Sequence, residues 1–320
     1  MQKNIAVIGC GYWGQNIVRS AADAGILYAV SDADPARMNQ FAQQYSVKAM
    51  PFDAVLADAA VEGVMLAVPA PLHAPLALKA FAAGKHVFAE KPIALTVDDA
   101  NLMIAAAQSA NRILMVGHLL QYHPAFLELK RMVDGGQFGA LQAIYSNRLN
   151  FGKIRTEENV FWSFAPHDVS MMLALAGREP TGIKAVYTAA LPDSPLASTA
   201  HAHFDFGAGL TGHIHVSWLN PFKEQKLVLV GSSGMAVFDD TQPWEKKLAV
   251  SANRVSFTAG QPVLNKSDTS YVALTPSEPL KDECLHFAKC ITEGTTPRTD
   301  GREALRVLKV MQACDKAAGA

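Results

Sequence analysis

Two hydrophobic periodicities share this chain, and the point where one gives way to the other divides it. Up to about residue 121, short apolar runs at 4–9, 26–31, 63–68, 86–90 and 113–117 alternate with helical spacing at 14–24, 35–45, 73–83 and 97–110. Short runs that are apolar on both faces and separated by helices predict a parallel, doubly wound sheet. A helix at 124–133 follows. Beyond it, strand patterns recur near 140–150, 182–191, 199–206, 210–218, 225–231 and 234–239, mostly without helices between them. Half-buried strands joined by turns such as Gly207-Ala208-Gly209 predict a largely antiparallel open sheet. Helical spacing returns at 281–292 and 302–318. The expected architecture is α/β, with a doubly wound domain over 1–121 and an α+β domain over 122–320. A ligand site belongs at the carboxyl ends of the parallel strands, in the cleft between the domains.

The first apolar run ends in Gly9, Gly11 and Gly14 and leads straight into a helix. In such a turn Gly9 permits the reversal, Gly11 admits a pyrophosphate to the backbone, and Gly14 lets the helix close on the strand. The helix N-terminus then stabilises the anion. The second strand ends at Asp32, 18 positions after Gly14. A carboxylate there can accept from an adenosine ribose, which makes this a dinucleotide-binding Rossmann pattern. Its charge repels a 2′-phosphate, and Ala33 and Asp34 supply no cation, so NAD is favoured over NADP. Arg37 either swings back toward the ribose or belongs to the solvated start of a helix whose first turn holds Pro35.

Composition narrows the classes further. A chain of 320 residues with 50% hydrophobic content buries a substantial core, and its net charge of -1 calls for neither nucleic acid nor an anionic membrane. The four cysteines show no CxxC spacing, and Cys10 lies inside the phosphate turn, so reduced thiols in a cytoplasmic protein are expected. The apolar stretch at 63–84 contains Pro69, Pro71, His73, Pro75 and Lys79, which is no clean membrane span. No export signal is read at the N-terminus.

The fourth strand ends in Glu90-Lys91-Pro92, placing a lysine at the sheet edge where a nicotinamide should sit. A cationic ring and partial burial both favour the neutral amine, so Lys91 can act as an acid or base toward a hydroxyl being oxidised. With the glycine turn, Ala67-Val68-Pro69, His73 and the change to an antiparallel second domain, this chain resembles the Gfo/Idh/MocA oxidoreductases. The resemblance implies that Lys91 contacts the oxygen of the reacting carbon. It further implies that Tyr12, Trp13, Pro69, His73, Glu90 and Trp162 join the glycines and Asp32 around NAD. His73 reads equally as a polar residue of an early helical turn.

The resemblance also places a histidine on a helix of the second domain, here His167 in Trp162-Ser163-Phe164-Ala165-Pro166-His167-Asp168. Ser163 stands where relatives carry an aspartate, so the acid/base duty falls on His167 or Lys91. Gly11-Tyr12-Trp13-Gly14-Gln15-Asn16, Asn150-Phe151-Gly152 and Glu158-Asn159-Val160-Phe161-Trp162 look like the bacterial UDP-N-acetylhexosamine 3-dehydrogenases. Those enzymes oxidise a C3 hydroxyl ahead of an aminotransferase. The likeness implies a UDP-sugar substrate met by His118, Tyr122, Asn150, Arg155, Asn159, Ser163 and His167, with Arg148 and Lys153 as further cations for its pyrophosphate. His118 and Tyr122 read nearly as well as packing at a domain hinge, and Gln121 departs from the arginine common in relatives. Oxidation of a free sugar or inositol, and a non-catalytic NAD sensor, are the rival readings; retention of both Lys91 and His167 weighs against the sensor.

Four of the ten histidines fall on two neighbouring strands. With Gly207-Ala208-Gly209 as the loop, His203 opposes His213 and His201 opposes His215 on one face, while Ala202, Phe204, Ile214 and Val216 take the other. Such a cluster reads either as a metal site or as the sheet's polar outer face. The resemblance implies no metal and a homo-oligomer, dimer or tetramer, built on that face.

Overall fold

The structure, a computed structural model, describes residues 4–319. Its first sheet is formed by β1 (Ile5–Ile8), β2 (Leu27–Ser31), β3 (Lys48–Ala49), β4 (Gly63–Leu66), β5 (His86–Ala89) and β6 (Leu114–Val116) in the order β3-β2-β1-β4-β5-β6. Every pairing in it is parallel. Helices α1 (Gly14–Asp23), α2 (Pro35–Tyr45), α3 (Phe52–Ala57), α4 (His73–Ala82) and α5 (Val97–Ser109) connect the strands. Strands β1, β4 and β5 are nearly all apolar because helices cover both faces. The two-residue β3 and one-turn α3 carry too few residues to show a period, and the hydrophobic pattern misses them.

Strand order reverses between β1 and β4, and the glycine turn sits at that crevice. Gly9 donates its N–H to Ser31 O at 2.7 Å, and Ala67 donates to Ile8 O at 2.8 Å. A side chain at Gly9, whose φ is +95°, would place its Cβ 2.5 Å from Ala67 O, and one at Gly14 would sit 2.0 Å from Gly9 O. Both glycines are therefore steric requirements of the turn.

The second sheet has eight strands in the order β16-β13-β12-β11-β7-β10-β9-β8. They are β7 (Leu141–Phe151), β8 (Gly182–Thr188), β9 (Thr199–Asp205), β10 (Thr211–Ser217), β11 (Leu219–Gly231), β12 (Met235–Asp239), β13 (Leu248–Ser251) and β16 (Ser270–Tyr271). Only β10 and β7 pair in parallel; the rest are antiparallel. Helices α6 (Pro124–Asp134) and α7 (Val160–Ala176) belong to this unit, and α7 packs on β7, β9 and β10. A separate exposed ribbon joins β14 (Arg254–Thr258) to β15 (Gln261–Asn265).

The chain divides into two compact units, one of the described residues up to Tyr122 with Glu278–Leu308, the other of His123–Ser277 with the residues from Lys309. The first continuous stretch thus ends beside the expected boundary at 121. Glu278–Leu308, expected in the second domain, returns to the first. It carries α8 (Pro279–Glu293), whose Leu280, Cys284, Phe287 and Ala288 join Val7, Phe88 and Met115 in one apolar cluster. An amphipathic period says that a helix covers something, but not which sheet. Helix α9 (Gly301–Ala318) runs from the returning segment to the end of the described chain.

Candidate functional site

In the first unit the residues expected around a dinucleotide converge on the glycine turn. No side chain caps the N-terminus of α1 at Trp13, and its first turn holds no acid. Gln15 N and Asn16 N donate within the turn to Gly11 O and Trp13 O, and no carboxylate of the first turn competes with an anion at this helix end. A Cβ at Gly11 would meet nothing within 4 Å, so the turn opens on space at the one glycine that a pyrophosphate must approach. These residues fit a dinucleotide.

Asp32 fixes the turn as well as facing the adenosine side. One carboxylate oxygen accepts from Cys10 N at 2.6 Å and the other from Asp34 N at 2.9 Å. Arg37 Nη1 lies 3.4 Å from the same carboxylate, so the swing toward Asp32 is the arrangement found, even though Pro35 also starts α2. Cys10 is buried and free, and burial pushes its thiol up to about 12, so it is inert in the turn.

Asp32→Ala combined with Ala33→Arg should shift the NAD/NADP ratio of kcat/KM toward NADP by at least about tenfold, the scale of one charge-assisted hydrogen bond. Arg37, released from Asp32, adds to the shift. NAD binding should weaken too, because Cys10 N loses its acceptor. An unchanged ratio would show that Asp32 does not face the ribose.

Glu90 and Lys91 close the other side of the turn. Trp13 Nε1 donates to Glu90 Oε1 at 2.7 Å, and Lys91 N donates to Glu90 Oε2 at 3.2 Å. Lys91 is half-buried, whereas Pro69 and Tyr12 are exposed. His73 is buried, with Nδ1 2.8 Å from Pro92 O and Nε2 2.9 Å from Val68 O. It ties the segment after β4 to the segment after Lys91, and burial pushes its pKa down. Both ring nitrogens bond to backbone, so the structure gives His73 a bracing role.

His118 and Tyr122 are also turned inward. His118 Nδ1 lies 2.6 Å from Glu303 Oε2, and the Tyr122 hydroxyl shares a 2.9 Å hydrogen bond with Thr299. Both residues are buried, and burial raises the Tyr122 pKa beyond any proton-transfer use. These contacts hold both side chains against the returning segment, the packing role that their sequence position also allowed. Sequence carried no signal for Glu303 or Thr299, which lie about 180 positions away.

In the second unit the expected residues gather on the N-terminal half of α7. Asn159 is its N-cap, accepting from Trp162 N at 3.0 Å, which is a reason for that asparagine apart from any ligand. Arg155 Nε donates to Ser163 Oγ at 2.9 Å and lies 3.2 Å from Glu158. Ser163 is buried one helical turn before half-buried His167, and Asn150 is half-buried near the end of β7. Trp162 Nε1 donates to Asp315 Oδ2 at 2.7 Å, so its indole N–H is committed within this unit and not to the cofactor.

Asp168 is the site residue that sequence reasoning missed. It accepts from Ser146 Oγ at 2.6 Å and from Arg148 Nε and Nη2 at 2.8 and 3.0 Å. Arg148 is therefore spent inside the unit and cannot serve a pyrophosphate. A signal existed: Asp168 is the only acid in a largely apolar 17-residue helix, and such a charge demands a partner.

Residues 3–118 match the model of the oxidoreductase family with an NAD-binding Rossmann fold, and residues 126–237 match the GFO/IDH/MocA C-terminal domain. The chain belongs to the Gfo/Idh/MocA oxidoreductase family. Its first unit is the NAD-binding Rossmann domain, as the turn geometry indicates. The UDP-N-acetylglucosamine 3-dehydrogenase of Acidithiobacillus ferrooxidans is 32% identical over 196 residues, which is 61% of this chain and 61% of that protein. The scyllo-inositol 2-dehydrogenase (NAD(+)) of Bacillus subtilis is 24% identical over 316 residues, covering 92% and 88% of the two chains. Among solved structures, UDP-N-acetylglucosamine 3-dehydrogenase GnnA from Acidithiobacillus ferrooxidans superposes with a TM-score of 0.87 and 26% identity, over 99% of this chain and 97% of that one. No helix among the described residues is long and apolar enough to cross a membrane.

Proposed function

We propose that this oxidoreductase uses NAD to oxidise the C3 hydroxyl of UDP-N-acetylglucosamine or a close UDP-sugar, giving the 3-keto sugar nucleotide. The observation that carries the reading is the joint likeness, in sequence over 61% of the chain and in fold over 99% of it, to a UDP-N-acetylglucosamine 3-dehydrogenase. Bound NAD supplies the hydride acceptor. The glycine turn and α1 hold its pyrophosphate and Asp32 its ribose. Lys91 or His167 takes the hydroxyl proton, a role for which Ser163 has no basicity at neutral pH. Arg155, Asn150 and Asn159 stand near His167 in sequence as polar groups for the sugar nucleotide.

A second reading, oxidation of a free inositol, draws on the inositol dehydrogenase that aligns over 92% of this chain. NADH absorbance over a panel of UDP-sugars, free sugars and inositols, with an aminotransferase present to trap the ketone, separates the two. Competition by UDP supports the nucleotide substrate; turnover of inositol untouched by UDP overturns it. The product is a ketone suited to an aminotransferase in the cytoplasm, which would place the enzyme ahead of amino-sugar assembly for a lipopolysaccharide.

We also propose a homo-oligomer built on the outer face of the second sheet. Its register is the expected one, His213 against His203 and His215 against His201. The opposite face is buried at Ala202, Phe204, Ile214 and Val216. The His201 and His215 rings stack with centroids 4.1 Å apart. Burial, and then the neighbouring histidines, push the pKa values of His213 and His215 below 6.5. Covering these rings in an interface would lower their pKa values beyond the depression already present in the single chain, so the assembled state disfavours the proton and its stability is lost as pH falls. The oligomer should loosen below about pH 6.5. Light scattering checks this, and identical dissociation of wild type and His203→Gln/His213→Gln would remove these histidines from the interface.

A further inference from the structure

Trp13 has no obvious reason to be a tryptophan. It lies on the glycine turn, 42% exposed, more than a ring placed there only for burial would be. Its one directed contact is the 2.7 Å hydrogen bond from Nε1 to Glu90 Oε1. Glu90 is 8% exposed and lies at the end of β5, with Gly117 behind it; a Cβ on Gly117 would come within 3.1 Å of the Glu90 carboxyl carbon and both its oxygens. The other Glu90 oxygen accepts from the backbone N–H of Lys91. One carboxylate thus spans two segments, the turn that holds the pyrophosphate and the peptide that carries the lysine.

We propose that Trp13 is a positioning residue for the reaction, setting Lys91 relative to the glycine turn by anchoring the Glu90 carboxylate. The inference rests on the role given above to Lys91. Free rotation of a glutamate would let Lys91 N move independently of the turn. The indole N–H removes that freedom, and Gly117, where a side chain would press on the carboxylate, leaves the room in which it is held.

The electrostatic surroundings explain why a donor is needed there. Burial raises the Glu90 pKa, while the Trp13 hydrogen bond and the Lys91 charge bring it down. Glu283 on α8 is fully buried, and neither of its carboxyl oxygens has a hydrogen-bond partner. Burial and then the charge of Glu90 push its pKa well above the usual range. The other titratable groups facing this carboxylate are His118, which lowers its pKa, and buried Cys284, which burial keeps a thiol. Trp13 is the neutral donor whose hydrogen bond does most to offset the burial of the Glu90 carboxylate.

Trp13→Phe keeps the ring and deletes the N–H. With the sugar that the substrate panel identifies, kcat should fall about 10- to 100-fold, the loss expected for a hydrogen bond to a charged group. The Kd for NADH, read by its fluorescence, should change less than about threefold. Two readouts go beyond loss of structure. The Glu90 carboxyl, followed by carbon NMR without substrate, should titrate at higher pH in Trp13→Phe than in wild type, and the acid limb of kcat/KM should move the same way. Trp13→Phe/Glu90→Gln should be no slower than Glu90→Gln alone. A Kd that rises as much as kcat falls would make Trp13 a cofactor contact, and unchanged kcat or an unmoved Glu90 titration would also overturn the proposal. Lys91→Ala separates the failures: if it is inactive while Trp13→Phe is normal, only this inference falls, and if it turns over normally, both fall.

Discussion

Replacing Lys91 with alanine should lower kcat at least about 100-fold and leave NAD binding nearly intact. The magnitude is the lower end of what a positioned acid or base contributes. The separation of effects follows from the geometry. The residues expected to hold the dinucleotide are Gly9, Gly11, Gly14 and Asp32, and the hydrogen bonds that fix this turn, Gly9 N to Ser31 O and Cys10 N and Asp34 N to the Asp32 carboxylate, involve no lysine side chain. Stopped-flow and steady-state NADH absorbance measure the first quantity, and an NADH titration measures the second. A variant that keeps more than about a tenth of wild-type kcat would end the acid/base role for Lys91 and leave His167 as the base. An equal loss in both quantities would make the lysine a cofactor ligand.

Asp168→Asn should destabilise the second unit by about 3–5 kcal/mol. Asp168 is 1% exposed and the Arg148 side chain 11%, so the screening that weakens surface pairs does not apply. Asparagine removes the charge and leaves the guanidinium buried and uncompensated. The pair also joins β7 to α7 one residue beyond His167, so turnover should drop together with stability. Calorimetric melting checks the cost, and the double variant Arg148→Met/Asp168→Leu should recover most of it, because an apolar pair of similar volume needs no partner. A single-variant cost below about 1 kcal/mol would mean that water reaches the pair.

Several features of the first unit were legible because they are local. The GxGxxG spacing, Asp32 at the next strand end and Glu90-Lys91-Pro92 each lie within a few residues of a strand terminus, and a parallel sheet gathers strand termini at one edge. The histidine register was legible for the same reason. Once Gly207-Ala208-Gly209 closes the loop, the pleat alone dictates that His203 faces His213.

Side-chain partners were not legible. His73, His118 and Tyr122 are polar groups at the right end of the sheet, and by position alone each suits a ligand or a packing role. Their partners, Pro92 O, Glu303 and Thr299, supply the packing role, and two of those lie in a segment that returns from beyond the second sheet. Arg148 was misjudged because a loop-proximal arginine is usually solvated; only the approach of α7 to β7 buries it against Asp168.

The sequence by itself determined the two sheet types, the glycine turn, the carboxylate that closes it and the lysine at the strand end, because period, turn sterics and motif spacing act over short stretches of chain. Tertiary structure alone decided which polar side chains remain available to a ligand. A buried hydrogen-bonding group must find a partner wherever the fold supplies one, and sequence does not show which distant segment that will be.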